Sequence, residues 1–155
     1  MQKTYIHYGH DASEFDPKLI ANASCCAVLS KPDKGLWASP IDSDWGWKDW
    51  CELEEWSCSD MSKSFIFTLT STAEILEIHR EEDILPYLIR EQDEFLLRRR
   101  ITNPCEKLNR ELLYKKFDGI ELFISENWSM HDGVFCTWDC DSICVWNPEV
   151  IELVR

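Results

Sequence analysis

No apolar run among the 155 residues approaches the ~20 that a helix needs to cross a bilayer, so the sequence contains no helical membrane span. Glycine (5) and proline (6) are scarce, which leaves no room for a long flexible linker. No internal repeat is visible. Basic residues are few: 16 Lys and Arg face 29 Asp and Glu, for a net charge of −13. A chain so negative repels phosphates, which argues against broad, non-specific DNA binding. Eight cysteines are present, yet no CxxC occurs and no Cys-His pair has zinc-finger spacing, so no metal ligands are assigned. Cys136, Cys140 and Cys144 recur every four residues, which places them on one side of a strand or helix as small buried hydrophobes. Met1 to His7 lack the apolar core of a signal peptide. The expectation is a cytoplasmic protein with reduced thiols.

What is present suits one globular domain over residues 1–155. Hydrophobic residues make up 45%, well above a disordered chain. A chain of this length buries roughly two-thirds of its unfolded surface, enough for one core and one small-molecule cleft. Eight Trp in 155 residues is a high count, and several must be buried or line a pocket. Charge is uneven. Residues 1–79 hold six basic and thirteen acidic side chains, and 117–155 hold one and eight. Residues 80–116, with nine and eight, include Arg98-Arg99-Arg100, Lys107, Arg110, Lys115 and Lys116. That stretch reads either as solvated helix faces or as a landing site for an anionic partner.

Periodicity predicts a strand at Tyr5–Gly9, a turn and short helix over Asp16–Ile20, and a strand at Leu36–Ser39. A helix with an aromatic face is expected within Asp42–Trp56, then strands at Ser64–Thr70 and Ala73–His79. Helix is expected again from Asp83 to Arg100. A further helix starts at Asn103-Pro104-Cys105-Glu106, where Asn103 suits an N-cap and Glu106 a capping box. Leu108 and Leu112 would be its apolar face. Strands at Asp118–Ile124 and Ser142–Trp146 complete the chain. Strands come in runs rather than alternating strictly with helices, so the fold class is α+β. The Trp45–Trp56 aromatic face reads as core, and His10, His79 and His131, which show no partner spacing, as surface residues.

Three segments are odd for a plain core. Ile6-His7-Tyr8-Gly9-His10 puts a His and a Tyr at a strand end beside a Gly. Gly35-Leu36-Trp37-Ala38-Ser39-Pro40 puts a flat ring and a hydroxyl on a short strand. Trp138-Asp139-Cys140-Asp141-Ser142 puts two carboxylates before an apolar strand.

These segments resemble those of the ADP-ribosyltransferase fold, in the group with a His, aromatic, acid triad. His7-Tyr8-Gly9 is similar to its first-strand signature, and Gly35-Leu36-Trp37-Ala38-Ser39 to its second. Phe117-Asp118-Gly119-Ile120 and Ser142–Pro148 are similar to its late turn and strand. The resemblance implies a mainly antiparallel split sheet with flanking helices and NAD as the dinucleotide. It implies roles as well: Trp37 stacking on nicotinamide, His7 bonding a ribose hydroxyl, and backbone groups at Gly9 bonding the carboxamide, with Tyr8 also among the cofactor-binding residues. Ser39 would bond a ribose hydroxyl or support the acid. The family's acid position falls on Ser142, which leaves Asp141, with Asp139 in reserve, to stabilise positive charge on the ribose. Each residue also has a structural reading: His7 as a satisfied strand-end histidine, Trp37 as core, Asp139 and Asp141 as turn caps.

Two functions follow. One is NAD-dependent transfer of ADP-ribose to a protein or nucleic-acid acceptor. The other is a non-catalytic, acidic interaction or inhibitor protein, of phage or mobile-element type, that occludes a basic surface on a partner protein.

Overall fold

The computed structural model describes residues 2–16, 31–57, 60–90, 106–132 and 135–154. Short apolar and β-branched runs bounded by Gly, Pro and Asp fold into strands: β1 (Thr4–Tyr8), β2 (Leu36–Pro40), β3 (Ser64–Leu69), β4 (Ile75–Ile78), β7 (Gly119–Leu122), β8 (Ser142–Val145) and β9 (Ile151–Leu153). They form one seven-stranded sheet in the order β4-β7-β8-β2-β1-β3-β9. Among the described residues the β4–β7 pair alone in this sheet is parallel. β5 (Leu88–Arg90) and β6 (Glu106–Leu108) make a separate antiparallel pair. Among the described residues the α-helices are α1 (Trp47–Leu53) and α2 (Arg110–Lys116). The class is α+β.

β8 sits near the middle of the sheet and is buried along its whole length. Its side chains feed two cores, as a central strand covered on both faces must. Cys144 joins Ile78, Leu113, Ile120, Leu122, Trp138 and Trp146 on one side. Ile143 and Val145 join Tyr5, Phe65, Phe67 and Val150 on the other. Each fully buried Ile, Leu or Phe in these clusters stabilises the fold by roughly 1.5–3 kcal/mol.

The register of β2 positions the site. Its last two residues pair with β1 (Tyr5 with Pro40, Ile6 with Ser39), while Leu36, Trp37 and Ala38 pair with β8. Past Ile6 the β1–β2 ladder stops, and the sheet splits there. β2 begins close under β8 because Gly35 precedes it at φ +127, where a Cβ would lie 2.7 Å from Cys144 Sγ and 2.9 Å from the Val145 carbonyl.

Several sequence expectations are corrected. Where a helix was expected from Asp83, the chain makes two 3-10 turns, Glu81–Asp83 and Leu85–Tyr87, and then strand β5. Pairing with β6 decides this, because Leu85, Leu88 and Ile89 suit either structure. Glu106 opens a strand rather than sitting in a first helical turn, and Leu108 is buried within that strand. Helix α2 starts later, capped by Asn109, whose Oδ1 accepts from Leu112 N at 3.1 Å. Its buried member is Leu113. α1 is shorter than Asp42–Trp56. β9 was not foreseen. Residues 17–20 of the expected first helix, Arg98-Arg99-Arg100, and Asn103 to Cys105 lie outside the described residues.

Candidate functional site

At the split, a cleft of about 320 Å³ opens between the end of β1 and the start of β8. Its lining combines His7 and Tyr8 from β1, Trp37 and Ser39 from β2, Trp47 from α1, and Trp138, Cys140 and Ser142 before and at β8, with Lys31 at one side. Trp37 and Trp138 pack at 4.9 Å between ring centroids, tilted by 59°. The Lys31 ammonium lies 5.6 Å from the Trp37 ring and 6.0 Å from the Trp138 ring. Three indoles and one ammonium suit a flat ring that carries an anion.

His7 occupies the gap itself. Strand alternation places it with Tyr5 and Phe65 on one face, whereas Trp37 packs with Trp138 on the other. They meet because the ladder has ended. His7 Nδ1 lies 2.7 Å from the Trp37 carbonyl, taking an acceptor that β1 backbone no longer reaches. A carbonyl only accepts, so Nδ1 carries the proton. Burial holds the ring below its usual pKa, outweighing the opposing effect of that carbonyl, while nearby His10 adds to the lowering. The ring is therefore neutral at pH 7, and its Nε2 accepts from His10 Nδ1 at 3.0 Å. His10 also stacks on His7 at 5.3 Å. His10 and His79 are exposed, as expected of surface residues, and His79 stacks on Phe123 at 4.3 Å and bonds Glu126 at 2.7 Å.

The other expected residues divide. Tyr8 lines the cleft, half-buried. Gly9, at φ +103, does not line it, and its N–H donates to the Lys63 carbonyl at 2.9 Å. Ser39 lines the cleft and also accepts from Trp47 N at 2.8 Å, so it fastens the start of α1. Asp141 is buried and turned elsewhere. Its Oδ1 accepts from Ser125 N at 2.8 Å, and its Oδ2 from Ser43 Oγ at 2.8 Å and Ser125 Oγ at 2.5 Å. Those bonds tie two loops to the entry of β8. Asp139 stands outside the lining, a third exposed, 4.0 Å from Lys31 Nζ. Among the described residues no carboxylate lines the cleft. No family model, curated protein or solved structure matches this chain.

Cys140 and Ser142 complete the wall. Ser142 Oγ donates to the Cys140 carbonyl at 2.9 Å, and the thiol lies 3.3 Å from that hydroxyl. Burial pushes the Cys140 thiol up to about 11, against the hydrogen bonds that oppose it, so it stays protonated and inert at neutral pH. Among the described residues no His, Cys, Asp and Glu cluster is suited to a metal. Lys31, Trp47, Trp138 and Cys140 were not foreseen as site residues. For Trp138 and Cys140 a signal existed: counted in twos back from Ser142, both share its side, and Asp141 and Asp139 take the other.

A second polar cluster lies toward the other end of β1. Glu121 of β7 is buried and accepts from Lys3 Nζ at 2.9 Å and from Tyr5 OH at 3.2 Å. Lys3 also reaches Glu77 at 3.2 Å. Burial raises the Glu121 carboxyl, although Lys3 and Tyr5 oppose the shift. One of its oxygens, Oε1, has no hydrogen-bond partner among the described residues. Tyr5 is raised by the same burial and by the Glu121 charge.

Proposed function

We propose that the cleft binds NAD and that the protein acts as an ADP-ribosyltransferase-like enzyme. The observation that carries this is the convergence of His7, Trp37 and Ser142 from β1, β2 and β8 on one indole-lined hollow. Those strands carry the three segments whose residues resemble that family. The nicotinamide ring would lie against Trp37, walled by Trp138 and Trp47, with the pyrophosphate toward Lys31. A volume near 320 Å³ accommodates one such ring with part of its ribose rather than a whole dinucleotide, so the rest would lie along the open rim. The neutral His7 can meet a ribose hydroxyl only where that hydroxyl displaces His10 from Nε2.

Cleaving the nicotinamide–ribose bond places positive charge on the ribose, and a carboxylate nearby lowers that barrier. Of the two late acids, Asp139 is the better placed, because it is partly exposed and adjoins Lys31, whereas Asp141 is committed to Ser43 and Ser125. The experiment titrates NAD while following tryptophan fluorescence, then supplies labelled NAD with a lysate as acceptor. Quenching that disappears in Trp37→Ala supports the cleft, and labelling that disappears in Asp139→Asn supports transfer. No quench and no thermal shift at millimolar NAD rejects both. Binding without transfer is the second reading, favoured by the carboxylate-free lining, and quenching without labelling would establish it.

A further inference from the structure

Beside the cleft, the carboxyl end of α1 carries a surface that nucleotide binding leaves unused. Trp56 is 51% exposed and Leu53 67%. Trp56 leans on Trp50 at 5.9 Å, and Trp50 stacks at 5.0 Å on Trp47 in the cleft wall. An indole held this firmly and left half in water is the kind of side chain that anchors protein interfaces.

The chain presents it through a Schellman turn. Glu54 caps the helix, Glu55 follows at φ +52, and Trp56 N returns 2.9 Å to the Cys51 carbonyl. Glycine ordinarily takes the left-handed slot of such a turn, because a Cβ there is strained. Here a glutamate takes it. Glu52, Glu54 and Glu55 are all exposed, at the helix end where backbone carbonyls already repel negative charge and no basic residue stands in the last turn. Lys48 meets Glu52 at 3.8 Å, and among the described residues neither Glu54 nor Glu55 has an ion pair.

We propose that this end of α1 docks an arginine-bearing segment of a partner protein, with Trp56 and Leu53 as the apolar platform and the three glutamates as its charged border. Charge complementarity selects the occupant. A guanidinium is planar and weakly hydrated, stacks on indole and bonds carboxylates in pairs, which the more strongly hydrated lysine ammonium does less well. A nucleic acid would bring phosphates against three carboxylates. The surface lies outside the cleft lining, so it stands independently of NAD.

The test uses the full chain without NAD and a labelled twelve-residue peptide of alternating Arg and Leu, followed by fluorescence anisotropy. The expected result is binding that weakens about tenfold in Trp56→Ala, weakens with a Lys-Leu peptide, and is absent with a Glu-Leu peptide or a single-stranded RNA of equal length. Because a −13 chain attracts any cation, Glu54→Gln/Glu55→Gln is compared with Glu81→Gln/Glu82→Gln, which removes the same charge from another exposed turn. Equal losses in the two pairs overturn the proposal, as does full affinity in a folded Trp56→Ala or preferential binding of the RNA. Glu55→Gly provides a second check: relieving the turn should raise Tm by about 3 °C while weakening the peptide. Lowered stability or unchanged affinity in that variant counts against the surface.

Discussion

A tyrosine and a basic side chain stand toward each end of β1: Tyr5 with Lys3, just before the strand, at one, and Tyr8 with His7 at the other. At the first end Glu121 reaches in from β7 and takes both partners. At the second end the same strand borders the cleft. The residue types are alike, and the difference lies in the ladder. β2 stays paired to β1 across Tyr5 and Ile6 and then belongs to β8 alone. The hollow is thus made by where pairing ends, and the side chains there inherit it.

The largest break in this contrast should come from Glu121→Ala. It leaves the buried Tyr5 hydroxyl without its acceptor, leaves Lys3 only its exposed pairing with Glu77, and opens a cavity, at a cost of about 3 kcal/mol in urea unfolding. Glu121→Gln keeps the volume and an acceptor and should cost less. It should also change the pH response. The Glu121 carboxyl is raised in the folded protein, so its contribution to stability falls as pH rises from its ordinary value of 4.5 through the raised folded value. Unfolding midpoints at pH 4.5 and 7 should lose this component in the glutamine variant.

Next comes the open end. Trp37→Ala removes the tilted contact with Trp138 from a half-buried position and should cost about 2 kcal/mol, together with any NAD-dependent quench. His7 gives the opposite pH slope to Glu121. Its folded pKa is lowered, so its contribution is complete above 6.5 and is lost as pH falls from there toward the folded value. His7→Gln should flatten the difference between stabilities measured at pH 7 and 5.5. The smallest effect is chemical. At pH 8, iodoacetamide should label the exposed Cys136 in the native protein and leave the buried Cys140 unlabelled, as read by peptide mapping.

Much of the sheet was legible because its strands are local signals. The apolar run Ser142–Val145 and the turn-bounded Leu36–Pro40 mark themselves by composition. The segment after Asp83 misled because Leu85, Leu88 and Ile89 fit helix spacing, while the strand that captures residues 88–90 lies at 106–108. Of the candidate residues, His7 and Tyr8 from one segment and Trp37 and Ser39 from another line one cleft. Whether a late acid could face it was a question of parity, and parity set Ser142 against Asp141. Lys31 gave no sign at all, since its place depends on a helix far along the chain.

That helix has a consequence of its own. Arg110, the first residue of α2, grips the Lys31 carbonyl with Nε at 3.1 Å and Nη2 at 2.8 Å, and Tyr114 one turn on clasps Asp33 at 2.6 Å. The stretch of backbone from which the ammonium reaches over the indoles is therefore held in place by α2. Selection could retune how strongly the hollow holds an anion by editing Arg110 alone, leaving every wall residue as it stands.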